Sequence, residues 1–195
     1  MTAGVAAVLY LTPRVLGISP GPSDCAPCDR GSVPVFDRWA IAEPRDGWSL
    51  ASTIVVLGLG AAVAGDLVLD RETVARGAAV LGSAAWAIGA TELIKSVVGR
   101  KRPILYTSVA VAEVNSGGSR RSFPSGHTAV AFALAASYWL NRGEHRPGIR
   151  RLAAVAAAVA VGVMRVTAGK HFPSDVFAGA AVGVSVALAV QVVKF

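Results

Sequence analysis

The sequence predicts an all-helical bundle embedded in a membrane, and two observations carry that prediction. The first is composition: of 195 residues, 53% are hydrophobic and only 16% charged, where soluble domains carry about 25% charge. The second is layout. The apolar residues fall in uncharged runs, Trp48 to Gly65, Gly77 to Thr91, Thr128 to Leu140, Leu152 to Met164 and Val176 to Val193, with charged or turn-rich connections between them. A shorter run, Thr2 to Leu11, precedes these. The expectation is a single transmembrane unit over 1–195 with six spans, or five if the first run does not cross.

Each element follows from its own residues. Thr2 to Leu11 falls short of the roughly 20 residues of a full span, and Pro13 and Arg14 follow it. It reads as a broken or interfacial first helix. No basic stretch precedes it, so it does not read as a cleaved signal peptide. Residues 19–47 are polar and rich in Pro, Gly and Asp. They predict a loop outside the bilayer, with a short surface helix around Phe36 to Ala42. Trp48 to Gly65 is a span, and Asp66 to Arg76 a charged connection. Gly77 to Thr91 is the next span, with Glu92 and Lys95 at its far end. Gly99 to Ser122 reads as a basic loop with a Gly117-Gly118 hinge. Phe123-Pro124-Ser125-Gly126-His127 is a turn, with Ser125 suited to cap the helix that follows. Ala, Gly and Val dominate the runs, and small residues let membrane helices approach closely.

The net charge of +7 does not read as a nucleic-acid surface. The basic residues sit between apolar runs, and aromatic residues are too scattered to stack bases. Cys25 and Cys28 lack further ligands for zinc; they read as a small loop disulfide or two thiols. The short connection Asn141 to Arg151 holds Arg142, Arg146, Arg150 and Arg151, which predicts a cytoplasmic location. His145 in that connection reads as solvated. The 19–47 loop, the 99–122 loop and the corner around 165–175 then share the outer side of a plasma membrane. The sequence leaves the oligomeric state open.

Three segments meet at that outer face: Lys95 with Arg102-Pro103, Pro124-Ser125-Gly126-His127, and Arg165 with His171 and Asp175. Lys95, Arg102 and Arg165 are fixed cations, and arginine forks onto phosphate oxygens. The N–H groups of Ser125 and Gly126 open a helix, a ready anion site. One histidine can attack phosphorus while the other donates a proton to the leaving oxygen. Asp175, one helical turn past His171, can stabilise an imidazolium. No acidic cluster suits a divalent metal, so no metal and no cofactor is expected. Arg120 and Arg121 are candidate contacts to a headgroup or second phosphate, with simple anchoring to anionic lipid as the alternative. Singly, Lys95 and Arg165 could merely snorkel from helix ends; it is their combination with two histidines that points to chemistry.

These segments resemble the three signatures of the type 2 phosphatidic acid phosphatase (PAP2) superfamily, in order and in placement between helices, over roughly residues 48 to 195. One departure stands out: Met164 occupies the position before Arg165 where the family usually has Ser. The resemblance implies a metal-independent membrane phosphatase acting on a lipid phosphate or prenyl diphosphate, such as phosphatidic acid, phosphatidylglycerol phosphate or undecaprenyl diphosphate. It implies that His171 is the nucleophile forming a phosphohistidine, that Asp175 orients it, and that His127 protonates the leaving group and then activates water. Lys95, Arg102, Ser125, Gly126 and Arg165 would hold the phosphate. Partners would then be the lipid substrate and the bilayer. A lipid phosphotransferase would use the same residues. The vanadate haloperoxidases share the motif set but lack the apolar spans. A non-catalytic anion or lipid transporter has no need of the His127, His171 and Asp175 set.

Overall fold

In a computed structural model, residues 2–69, 74–141 and 148–192 are described. Arg142, His145, Arg146 and Lys194 lie outside the described residues. The described chain is helical, without strands: α1 (Thr2–Val15), α2 (Val35–Arg38), α3 (Asp46–Leu69), α4 (Val74–Val98), α5 (Ala110–Glu113), α6 (Gly126–Leu140), α7 (Gly148–Thr167) and α8 (Pro173–Val192), with 3-10 turns at Arg30–Ser32 and Pro103–Tyr106. The apolar runs become helices as far as they are described, Val193 lying outside the described residues. Among the described residues, three stretches are long and apolar enough to cross a membrane: Asp46–Leu67, Arg76–Tyr106 and Pro173–Val192. The chain is a membrane protein by this measure, yet the six expected spans are not equivalent. The 15 residues of α6 rise only about 22 Å, short of a hydrocarbon core of roughly 30 Å. In α7, Arg150, Arg151 and Arg165 interrupt the apolar character.

The shortness of α6 matches its position. It is the central helix, packed by α3, α4, α7 and α8. Leu59 and Val63 of α3, Val80 of α4, Leu134 and Tyr138 of α6, and Ala158 and Val161 of α7 share one buried cluster. On its other side α6 meets α8 with almost no side chain between them. A Cβ at Gly179 would stand 2.5 Å from the Ser125 carbonyl oxygen, and one at Gly183 only 2.3 Å from that of Ala129. Two glycines one turn apart thus set how closely α8 approaches, the small-residue route to helix contact in lipid. This closeness matters to function, because α6 starts and α8 starts at the same end of the bundle.

The helices extend beyond the apolar runs: α4 starts at Val74 and α7 at Gly148, so Arg76, Arg150 and Arg151, expected in connections, lie in helices. Asp66 belongs to α3 rather than to a connection, because its carboxylate accepts from Tyr138 of α6 and Arg150 of α7. The helix continues past a charge that is already paired. The first run is a whole helix of 14 residues with Pro13 inside it, laid against α4. Gly89 makes room: a Cβ there would meet the Ala6 carbonyl at 2.8 Å.

The loop over 19–47 is a built segment with one short helix, α2, somewhat shorter than the Phe36 to Ala42 helix expected. Cys25 and Cys28 form a disulfide. Beside it the Cys28 N–H donates to the Leu105 carbonyl at 2.7 Å, and Lys101 pairs with Asp24 at 2.5 Å. Val33 and Ala40 pack on Phe172. The loop is therefore fastened to the segment that follows α4 and to the corner before α8.

Candidate active site

The site is assembled where α6 and α8 begin and α4 ends. Ser125 stands at the N-cap position of α6 as expected, but its hydroxyl does not cap. It pairs instead with Thr128 Oγ1 at 2.9 Å. Its N–H is also committed, donating to the Asp175 carbonyl at 2.9 Å. The expectation that the Ser125 N–H faces an anion is therefore corrected: that group ties α6 to α8. The first turn beyond it carries no side-chain cap, which leaves the helix N-terminus with its orphan donors. Gly126 is small for a visible reason. A Cβ there would stand 3.0 Å from Lys95 Nζ, so glycine lets the ammonium reach the helix start. Lys95 is held by Glu92 at 3.0 Å, and Glu92 in turn pairs with Arg121 at 2.7 Å. Arg120 donates to the Gly99 carbonyl at 3.2 Å.

His171 is buried in the corner between α7 and α8. Its Nδ1 lies 2.7 Å from the Ser122 carbonyl oxygen. A carbonyl only accepts, so Nδ1 carries the proton and Nε2 keeps its lone pair. Asp175 Oδ2 stands 3.8 Å from Nδ1, beyond hydrogen-bond reach. The tautomer is set by Ser122, and Asp175 acts on the ring through its charge. Burial pulls the His171 pKa from its usual 6.5 to about 3; Asp175 opposes this, and the Arg102 and Arg165 charges add to it. The ring is thus a neutral base with two guanidinium groups close by. Asp175 is wholly buried and held on both oxygens: it accepts from Ser122 Oγ at 2.6 Å, from the Phe172 N–H at 2.8 Å and from Arg100 at 2.6 Å.

His127, in the first turn of α6, has Nε2 at 3.1 Å from Thr53 Oγ1. Arg165 is buried, and its Nη1 donates to Ser49 and Ser52 Oγ at 3.0 and 3.2 Å. The Nε groups of Arg102 and Arg165 are buried without a hydrogen-bond partner among the described residues. Buried donors are nearly always satisfied. Two orphaned guanidinium N–H groups beside a neutral histidine and a helix N-terminus describe a cradle for an anion with several oxygens.

The fold thus brings Lys95, Arg102, Ser125, Gly126, His127, Arg165, His171 and Asp175 to one end of the bundle. Arg121 joins them through Glu92, whereas Arg120 packs on the loop after α4. The residue-level reading missed Ser49, Ser52 and Thr53 of α3, Ser122, Arg100 and Asp37. The α3 hydroxyls were within reach, since a spacing of three and four residues puts them on one helix face. Ser122 acts through its backbone carbonyl as well as its hydroxyl, and a carbonyl leaves no sequence signal.

A family model described as the PAP2 superfamily matches residues 76–195. Among curated proteins, the chain is 36% identical over 94 residues to "Lipid A 1-phosphatase" of Rhizobium johnstonii, covering 47% of this chain and 36% of that protein. It is 41% identical over 70 residues to "Lipid A 1-phosphatase" of Porphyromonas gingivalis, covering 36% and 16%. The protein of the same name from Rhizobium etli is 35% identical over 94 residues, covering 47% and 38%. The matches thus span well under half of each relative. No solved structure matches the chain.

Proposed function

Because the chain belongs to the PAP2 superfamily, we propose that it is a membrane phosphatase that removes phosphate from a lipid phosphate or diphosphate through a phosphohistidine. The observation that carries this reading is the pair of orphaned Nε groups of Arg102 and Arg165 beside His171, whose Nε2 retains its lone pair. Phosphate oxygens would take those donors, together with Lys95 and the first-turn N–H groups of α6. The Nε2 lone pair attacks phosphorus, and the bond from phosphorus to the lipid oxygen breaks. That oxygen takes a proton from the His127 imidazolium, whose charge the incoming phosphate favours. Water then attacks phosphorus and gives a proton to His127. The N–P bond breaks, its electron pair returns to Nε2, and inorganic phosphate leaves. Charge on the transferring group is held by fixed donors throughout, without need of a metal.

The tail would stay in the bilayer, with the headgroup at the outer face of the plasma membrane. Lipid A 1-phosphate, from the relatives' name, joins phosphatidic acid, phosphatidylglycerol phosphate and undecaprenyl diphosphate as a substrate to test. Arg121, paired with Glu92, is the headgroup contact of choice. The test is phosphate release in detergent by the purified full chain from those three lipids and lipid A 1-phosphate, with EDTA present, for wild type and His171→Ala. Release should survive EDTA and fall at least about 1,000-fold in the variant. A folded wild type that releases phosphate from none of them contradicts the reading.

A further inference from the structure

Asp37 lies far from the signatures in sequence, on α2 of the outer loop, yet it is 1% exposed. A carboxylate is almost never buried so fully unless paired. Its Oδ2 accepts from Arg100 Nη2 at 2.7 Å and from Ser174 Oγ at 2.6 Å, and its Oδ1 from the Ser174 N–H at 3.0 Å. The same Arg100 turns its other nitrogen to Asp175 Oδ1 at 2.6 Å and to Ser174 Oγ at 2.6 Å. The guanidinium also lies over the Phe172 ring, 4.6 Å from its centroid. One planar fork thus joins two buried carboxylates across the corner that holds His171.

We propose that Asp37, acting through Arg100, is a positioning residue for the His171 site. The proposal deepens the phosphatase reading and rests on it for its kinetic arm only. Besides its charge, Asp175 acts on His171 by binding the hydroxyl of Ser122, whose carbonyl fixes the ring, and the N–H of Phe172 next to it. Asp175 can hold both only if its other oxygen is anchored. Arg100 is that anchor, and Arg100 keeps its orientation because Asp37 fixes the far side of the fork. A lysine cannot replace it, since a point charge does not bridge two carboxylates in a plane. Asp37 also grips the first turn of α8 through Ser174. The extramembrane loop is on this basis part of the catalytic unit, although it precedes the region matched by the family model.

The experiment uses the full chain in detergent, with Asp37→Asn, Asp37→Glu and Arg100→Lys. Two readouts are taken: kcat and KM for phosphate release, and the His171 Nδ1–H resonance in protein carrying 15N-histidine, assigned by its loss in His171→Ala. The expected result for Asp37→Asn is a kcat lower by about 10- to 100-fold, as for a misplaced catalytic group, with KM within about twofold. The His171 resonance should shift or broaden, and Asp37→Glu should recover part of both. A folded Asp37→Asn with wild-type kcat and an unmoved resonance overturns the proposal. So does a loss of activity with the resonance in place and no recovery in Asp37→Glu, which marks a purely structural role. If Asp37→Asn does not fold, Arg100→Lys decides by the same two readouts. If wild type releases no phosphate, the phosphatase reading fails on its own, and the resonance alone decides the positioning role.

Discussion

His171 shows what burial does to one side chain. Its ring is neutral and locked by the Ser122 carbonyl, and its pKa is held near 3. The unfolded chain, by contrast, protonates this histidine at its ordinary 6.5. Between those values the unfolded state binds a proton that the folded state does not, so stability falls as pH drops. Each pH unit below 6.5 costs up to about 1.4 kcal/mol. Thermal unfolding in detergent at pH 7 and pH 5 should therefore show wild type losing about 2 kcal/mol more than His171→Gln. Equal losses would mean that the histidine is not held neutral. Arg165 offers a second residue-scale check. Its hydroxyl partners come from Ser49 and Ser52 on α3, while Met164 stands where the family usually has a Ser. The double change Ser49→Ala with Ser52→Ala removes two bonds to a buried charge, each worth about 1.5–3 kcal/mol. It should lower kcat/KM at least tenfold, whereas Met164→Ala should change it little.

At the scale of elements, much was legible because apolar runs and their charged ends are local features. The runs from Trp48 and Val176 became α3 and α8, and Lys95 took its place inside α4 near the site. What the runs did not disclose was pairing between helices. Asp66 reads as the start of a connection until Tyr138 and Arg150 are seen beside it. The Ser125 N–H reads as an anion donor until the Asp175 carbonyl is seen to claim it. Asp37 had no local signal at all, since its partners Arg100 and Ser174 lie beyond α3. The contact of α6 with α8 gives a direct test. Gly183→Ala would bring a methyl within 2.3 Å of the Ala129 carbonyl oxygen, and neither backbone can yield without moving its helix. The variant should lose about 1–3 kcal/mol, read as a lower unfolding midpoint. It should also lose activity, because the same displacement parts Ser125 from Asp175. A neutral Gly183→Ala would mean that the helices are not packed this closely.

For the whole molecule, the bundle presents one chemical end and one structural end. Thr53, Ser49 and Ser52 face the site from the start of α3, and Asp66 ties α3 to α6 and α7 toward the other end of the same helix. The starts of α6 and α8, the end of α4 and the fastened 19–47 loop converge on His171. That convergence assembles fixed cations, orphaned helix N–H groups and a base whose tautomer is set by the backbone. The most direct measurement is a rapid acid-free quench of the wild-type chain turning over a 32P-labelled lipid phosphate, followed by mapping of protein-bound label. A base-stable, acid-labile phosphoramidate at His171, formed and lost at rates matching turnover and trapped longer in His127→Ala, is the expected result. Label on His127, or turnover with no protein-bound phosphate at any time, would contradict attack by His171.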